Sequence, residues 1–422
     1  MSANVEAPVA ELEFPIQDVR SAFPSLARSA PFVFFDNAAG AQAPQLVLDA
    51  VLGHLLNRNV QRGGRYGKSR EVDGVISRAR ASVATLLNAG NSREIAFGMN
   101  ATSFIRLISL AIGQSLEPDR CEIVITDMDH EANVATWLDL ERFGAKCRWW
   151  RVRKDGTLNV DDLDPLLSGK TRLVACTVAS NALGTIVDVA AAAERAHRAG
   201  AEVFLDCVHY APHGPIDVQK WKCDYMVCSG YKIFAPHMGF LWGREEALQR
   251  LHTFREDFLP DRPPEKIEAG TFIYENVAGM DAAISYLELL GHRFSRNDHS
   301  ASRRESIVDA MQAIARYERS LSEQLLTTLE DVDAIIYGVC DLDKLHQRVP
   351  TVLFNLLGLT PEMVVEGLAH KSIGARDGHM YAPRLIRCLD LSPESGAVRV
   401  SLAHYNTKDE IRMLGKALAE IA

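Results

Sequence analysis

The sequence predicts an α/β protein with a large three-layer α/β/α domain on a mostly parallel sheet and a smaller C-terminal α/β domain. Three observations carry that prediction. From residue 95 onward, short and near-continuous apolar runs recur: EIAF, CEIVIT, CRWWRV, TRLVACTVAS, EVFLD, YMVCS and GFLWG. Strands of this kind are buried on both faces, as in a parallel sheet covered by helices. Helical segments such as SFIRLISLAIG, WLDLERFG and AAAAERAHRAG separate them, giving the strand–helix alternation of α/β architecture. Around residue 285 the pattern changes to a long charged helical stretch, roughly Asn297 to Leu329, followed by shorter mixed segments. At 422 residues the chain is long enough to bury two cores.

Each element has local grounds. Residues 1–35 read as an arm that packs with the small domain, polar and Pro-containing, with one short amphipathic segment, IQDVRSAF. FVFFDNAAGAQAP is a short apolar strand broken by Asp36-Asn37 and then small residues. A helical pattern runs from about Pro44 to Leu87. Met99-Asn100-Ala101-Thr102 is a polar turn that opens a helix after a strand, and KDGT is a turn after CRWWRV. Residues 36–285 form the expected large domain. Residues 286–422 form the small one, from TVLFNLLG, PEMVVEGLAHKSIGA, VRVSLA and TKDEIRMLGKALAEIA.

Composition narrows the class. Hydrophobic residues at 47% and charged residues at 24% are ordinary globular values. A net charge of -9 gives no basic footprint, which argues against nucleic acid or an anionic membrane as a partner. The eight cysteines lack CxxC pairing and several lie in apolar runs, as buried thiols of a reducing compartment do. The N-terminus has no basic region followed by an apolar run, and no stretch reaches membrane-spanning length, so the expected location is cytoplasmic.

The most informative stretch runs from Ala201 to Arg244. An apolar strand ends in Asp206, and a second ends just before Ser229-Gly230-Tyr231-Lys232. A lone lysine is ordinarily a solvated surface residue, and an aspartate after a strand is ordinarily a helix cap. Together, 26 residues apart across a strand, they suit pyridoxal phosphate. A lysine partly desolvated at a strand end has a lowered pKa and attacks an aldehyde, and the acid keeps the pyridine nitrogen protonated. Further candidates follow the same logic. Asn100, Ala101 and Thr102 offer a helix N-terminus to a phosphate, though on this segment alone a plain N-cap is the more ordinary reading. Ser229 and Tyr231 offer hydroxyls beside the lysine. His130, in MDHEANVATW after CEIVIT, is placed to stack on a flat ring. Asn181, in ASNALG, either donates to a ring hydroxyl or forms a turn.

DNAAGAQAP, MDHEAN, VASNALGT, the Asp206-to-Lys232 stretch, EAGT at Glu268 to Thr271 and VRVSLAHYNTKDE occur in the order expected of one family. From about residue 30 the chain resembles class V aminotransferases, specifically the cysteine desulfurase and selenocysteine lyase branch. The resemblance implies pyridoxal phosphate fold type I and a homodimer with active sites shared between subunits. It implies that Lys232 is the Schiff-base lysine, Asp206 the pyridine partner and His130 the stacking residue. Asn181 matches the residue near the phenolic oxygen, and His209 stands where desulfurases usually carry a glutamine that contacts the same oxygen. Thr102 and Ser229 match the phosphate site, with Ala101 beside them, and Tyr231 replaces a histidine next to the lysine. Thr271 matches a residue given to the neighbouring subunit's phosphate site. Arg399 matches the arginine that grips the substrate carboxylate, and Arg376 an arginine of the active-site loop. Asn37, Ala38 and Tyr381 complete the substrate side, with His379 and Arg65 as further candidates.

The departures decide the expected reaction. Desulfurases carry a nucleophilic cysteine in the loop that here reads ARDGHMYAP, and Tyr381 occupies its position. A phenol cannot take sulfur as a persulfide. Cys388, seven residues later in a helical run, and Cys207, beside Asp206, are poor replacements. The expected enzyme therefore binds an α-amino acid as an external aldimine and cleaves a C–S bond or another β- or γ-substituent as a lyase. Decarboxylating aldol-type, aminotransferase and epimerase chemistry of the same superfamily remain open. So does a non-catalytic binding or regulatory protein, against which the joint presence of Lys232, Asp206 and Arg399 argues.

Overall fold

The structure, a computed structural model, describes residues 13–268, 270–294 and 301–422. Residues 1–12 of the arm, Ala269 of the EAGT motif and the expected start of the charged stretch at Asn297 lie outside the described residues. Strands β1 (Val33–Phe34), β2 (Ile95–Gly98), β3 (Glu122–Thr126), β4 (Lys146–Trp150), β5 (Thr171–Thr177), β6 (Glu202–Asp206), β7 (Tyr225–Ser229) and β8 (Gly239–Gly243) lie in the first part of the chain. All but β1 form one sheet in the order β2-β8-β7-β6-β5-β3-β4. Only β8 runs antiparallel to its neighbours, so the sheet is mostly parallel, as expected.

Burial explains the apolar runs. Every residue of β6, β7 and β8 is buried, and successive residues enter different cores. Val203 and Leu205 of β6 join the core on one face of the sheet, while Phe204 joins the core on the other. Strand β4 lies at the sheet edge, and its Lys146 and Arg148 reach solvent. The covering helices are α1 (Ile16–Ser21), α2 (Pro24–Arg28), α3 (Gln45–Arg58), α4 (Gly67–Leu87), α5 (Ala101–Gly113), α6 (Ala132–Leu138), α7 (Val189–Arg198), α8 (Val218–Trp221), α9 (Glu245–Arg250) and α10 (Tyr274–Gly291). Helix α5 supplies Phe104, Ile105, Ile108 and Ile112 to one core, and α4 supplies Val72, Ile76 and Val83 to the other.

One expectation needs correction. The helical pattern from Pro44 to Leu87 is two helices, α3 and α4, separated at residues 59–66. Gly63 takes a left-handed φ of +78°, and the Ser69 hydroxyl accepts from the Gly64 N–H, so the chain turns there instead of continuing. The boundary expected after residue 285 falls inside α10, whose Ile284, Leu287 and Leu290 share one core. The composition change marks the start of the charged helix and not the end of the helix before it.

The remaining chain forms α11 (Arg303–Glu330), β9 (Ile335–Tyr337), β10 (Thr351–Asn355), α12 (Pro361–His370), β11 (Ile373–Gly374), β12 (Arg376–Gly378), α13 (Pro383–Cys388), β13 (Ala397–Ser401) and α14 (Lys408–Ile421). Four strands make an antiparallel sheet in the order β12-β13-β10-β9. Its core takes Leu321 and Leu325 from α11, Val364 and Leu368 from α12, and Ile411 and Leu414 from α14. Strand β1 pairs in parallel with β11, which ties the N-terminal arm to this smaller unit.

Candidate active site

Parallel strands end together, and their C-terminal ends leave a crevice where side chains and helix N-termini converge. In this molecule β5 ends at Thr177, β6 at Asp206 and β7 at Ser229, and all three residues line one cavity. Lys232 sits one turn after β7, and Ala101 and Thr102 open α5 across from it. The cavity is also lined by His130, Asn181, His209 and Tyr231. Nine of the ten residues expected around the cofactor therefore meet in one place, although they come from positions 101 to 232. Thr271 is the exception. It is exposed, and its hydroxyl accepts from Gln61 Nε2 at 2.8 Å.

The electrostatics suit the expected chemistry. Burial and the nearby Arg399 charge pull the Lys232 ammonium down to about 8, against the partial support of Asp206. Burial raises the Asp206 carboxyl, while the Val208 N–H and Lys232 hold it down; Oδ1 accepts from Val208 N at 2.9 Å. His130 accepts from Ala132 N at Nδ1 over 3.0 Å, and burial with nearby Lys232 and Arg399 lowers it to about 4. Its ring is therefore neutral near pH 7, with the proton on Nε2.

The residues fit pyridoxal phosphate on the cavity's own evidence. A buried amine and a buried acid face one space. At the start of α5, Asn100 caps only Ser103, and the Ala101 N–H lies a long 3.4 Å from the Ser229 hydroxyl, so the first-turn N–H groups suit a phosphate. Asn181 Oδ1 is buried without a hydrogen-bond partner.

On the substrate side, Arg399 of β13 is almost fully buried. Its Nη1 donates to Asn181 O and its Nη2 to Asp36 Oδ1, both at 2.8 Å, and its Nε has no partner. Arg376 on β12 donates to the other oxygen of Asp36 at 2.8 Å. The loop after β12 places Tyr381 beside this pair, its ring 5.6 Å from that of His130 at an interplanar angle of 25°. Met380 and Tyr381 both adopt left-handed backbone, φ 52° and 57°, held by Asn181 Nδ2 on Met380 O and by Glu131 N on Tyr381 O, each at 2.7 Å.

Other expectations are reassigned by the geometry. Asn37 is a structural knot: Nδ2 donates to Phe34 O, Ser401 O and Asn406 Oδ1, and Oδ1 accepts from the Tyr405 hydroxyl. Ala38 donates its N–H to Ser401 Oγ at 2.8 Å. Asn181 Nδ2 donates one hydrogen bond to the loop, at Met380 O. His379 is exposed and accepts the Tyr381 N–H at Nδ1, and Arg65 is exposed on the chain between α3 and α4. None of the eight cysteines lines the cavity. Three residues escaped the sequence reading: Asp36, Thr351 and Asp129. Burial, with Asp206 nearby, raises Asp129 to about 7 despite its bonds to Thr126 and Asn133. The strings FFDN and TDMDH did carry the two acids, but nothing local distinguishes them from turn residues.

Comparison with known proteins agrees with this geometry. The family model for class V aminotransferases matches residues 33–312 and 308–414. The aminotransferase-like protein FGM3 of Gibberella zeae is 35% identical over 96% of this chain and 98% of its own length. A cysteine desulfurase of Serratia proteamaculans is 32% identical over 97% of this chain and 99% of its own. Among solved structures, the apo cysteine desulfurase of Thermococcus onnurineus NA1 superposes with a TM-score of 0.85 at 26% identity, covering 98% of this chain and 99% of that one. The chain belongs to the class V aminotransferase family, as a cysteine desulfurase-like, pyridoxal phosphate-dependent enzyme of fold type I.

Proposed function

We propose that this enzyme is a lyase that cleaves a C–S bond, or another bond to a β- or γ-substituent, of a small α-amino acid without forming a persulfide on the protein. The reading rests on Tyr381, which the resemblance puts where a sulfur-accepting thiol belongs, in a loop whose Met380 and Tyr381 carbonyls are both held. Cys388 is a poor substitute. Its thiol donates to Asp127 Oδ2 at 3.3 Å, and burial with that carboxylate pushes it up to about 11, so it is protonated near neutral pH. The relatives named as cysteine desulfurases make cysteine and its S-substituted derivatives the first substrates to test.

Pyridoxal phosphate, when bound, supplies the electron sink for the pair left at the α-carbon. The protein supplies the rest. Arg399, with Arg376 beside it, holds the substrate carboxylate against the charge of Asp36. His130 would stack on the cofactor ring, and Asp206 would keep its pyridine nitrogen protonated. Lys232 Nζ would take the α-proton and pass it to the departing substituent, which leaves as the thiol or sulfide. Thr271, exposed and outside the cavity, supports a homodimer in which it serves the neighbouring subunit's phosphate site. The free cysteines support a reducing, cytoplasmic setting. Among the described residues no helix is long and apolar enough to cross a membrane.

The test is a panel of amino acids scored for sulfide, pyruvate, alanine and carbon dioxide. Elimination from cysteine gives sulfide, pyruvate and ammonia in equal amounts, abolished by Lys232→Ala. Alanine formed together with persulfide on a cysteine of the chain contradicts the proposal.

A further inference from the structure

At the end of the large sheet where β5, β6 and β7 begin, opposite the end where they reach the active site, lies a second cavity of about 690 Å³. Arg120, Arg172, Arg244, Arg250, His197 and His252 line it, a basic cluster in a chain of net charge -9. Two buried acids line it as well: Glu202, the first residue of β6, and Asp224, just before β7. Glu202 Oε1 accepts from Arg250 Nη2 at 2.6 Å, and Oε2 accepts from Arg172 Nη1 at 2.7 Å and the Tyr225 hydroxyl at 3.1 Å. Asp224 Oδ2 bonds His197 Nε2 at 2.9 Å and accepts from Val203 N at 2.8 Å, while Oδ1 accepts from Arg244. Burial pushes the Asp224 carboxyl up, but these partners outweigh it and hold it below its ordinary value, so it is charged near pH 7.

The acids are saturated but the arginines are not. Arg172, Arg244 and Arg250 each give one nitrogen to an acid and, among the described residues, keep the rest of the guanidinium fork. Arg120 gives Nη2 to Gly200 O and has no acid partner among the described residues. Four arginines therefore face three acids, Glu202, Asp224 and the exposed Glu117. Buried carboxylates hold the forks in place, so an incoming anion finds oriented N–H groups and little ordering cost. Planar forks of this kind match phosphate oxygens two at a time. The Glu202 and Asp224 groups stand on neighbouring strands, which lie about 5 Å apart, so a ligand that meets both carries linked anionic groups. The volume exceeds that of a single phosphate and falls in the range of small-molecule sites, roughly 300–1,000 Å³. We propose that this cavity is a second binding site, for a small molecule that bears a diphosphate.

The site is independent of the reaction at the other end of the strands, and binding alone tests it. Isothermal titration calorimetry is run on the cofactor-loaded enzyme, whose catalytic phosphate site is then filled, with pyrophosphate, ATP and inorganic phosphate at low salt. Pyrophosphate and ATP are expected to bind one site per chain with Kd below about 1 mM, and phosphate about tenfold more weakly. Equal affinities for pyrophosphate and ATP assign recognition to the diphosphate alone, and a tighter ATP extends it to the nucleoside. Arg244→Gln and Arg250→Gln are each expected to weaken pyrophosphate binding about tenfold, the loss of one charge-assisted contact. Their side chains are 48% and 58% exposed, and Asp224 and Glu202 keep His197 and Arg172, so the fold stands. Glu117→Gln, which removes the exposed acid, is expected to tighten binding about two- to threefold, a gain that no misfolded variant gives. No saturable binding up to about 10 mM pyrophosphate, or an affinity unchanged in both arginine variants, overturns the site and leaves a structural ion-pair network. Phosphate binding as tightly as pyrophosphate overturns the diphosphate assignment, and weaker binding in Glu117→Gln overturns the electrostatic account.

Discussion

Asp36→Asn tests whether Arg399 and Arg376 form one carboxylate grip with a built-in counter-charge. Asp36 Oδ1 lies 2.8 Å from Arg399 Nη2, and Oδ2 lies 2.8 Å from Arg376. The Arg399 side chain is 2% exposed, and burial already lowers its proton affinity while Asp36 supports it. The amide retains one acceptor but removes the only acid bonded to the pair among the described residues. Breaking a buried ion pair costs ~3–5 kcal/mol. Because Asp36 is 23% exposed and Arg376 38%, water screens part of that loss. The expected cost is about 2 kcal/mol, which lowers Tm by about 2 °C in a chain of this size. A bound carboxylate then takes the place of Asp36. In thermal unfolding with propionate, which lacks an amine and cannot react with the cofactor, the variant binds about tenfold tighter than the parent. At 100 times its Kd the ligand stabilises by ~2.7 kcal/mol and offsets the loss. A variant less stable than the parent but with unchanged propionate affinity refutes the shared grip, leaving Asp36 a structural partner alone.

Two further outcomes follow. The Lys232 amine, held down to about 8, is the form that captures the cofactor aldehyde. In the cofactor-free protein the capture rate is expected to rise about tenfold per pH unit below 8 and level off above it. A stopped-flow profile that keeps rising to pH 10 shows a lysine with ordinary proton affinity. Gly184→Ala places a methyl against Thr351 O and demands a left-handed φ of +76°, so it is expected to cost about 2–3 kcal/mol of stability. Chemical denaturation checks this, and a loss within ~0.5 kcal/mol refutes the close packing of β10 on that turn.

Much of the site was legible because it is made of strand ends. Asp206 and Lys232 follow apolar runs that cannot be mistaken for surface, and the sheet order brings their ends together. The same holds for Asn181 and His130. What escaped depends on contacts between distant segments. Asp36 acquires its role from Arg376 and Arg399, about 340 and 363 positions away, and Thr351 bonds His209, 142 positions away. Asn181 gives one N–H to a carbonyl at Met380, a contact set by the left-handed loop and invisible in ASNALG. Asn37 resembles a substrate residue in DNAAG but is consumed by Phe34, Ser401, Tyr405 and Asn406. The split between α3 and α4 was written in Gly63-Gly64 and was overridden by the helical period on either side.

The most direct test of persulfide-free chemistry is intact-protein mass spectrometry, after alkylation, of the cofactor-loaded enzyme quenched during turnover of cysteine. The account predicts Lys232-dependent loss of cysteine with no added sulfur on any of the eight cysteines, including Cys388. A mass increase of one sulfur atom on a cysteine, formed and consumed at the rate of turnover, contradicts it.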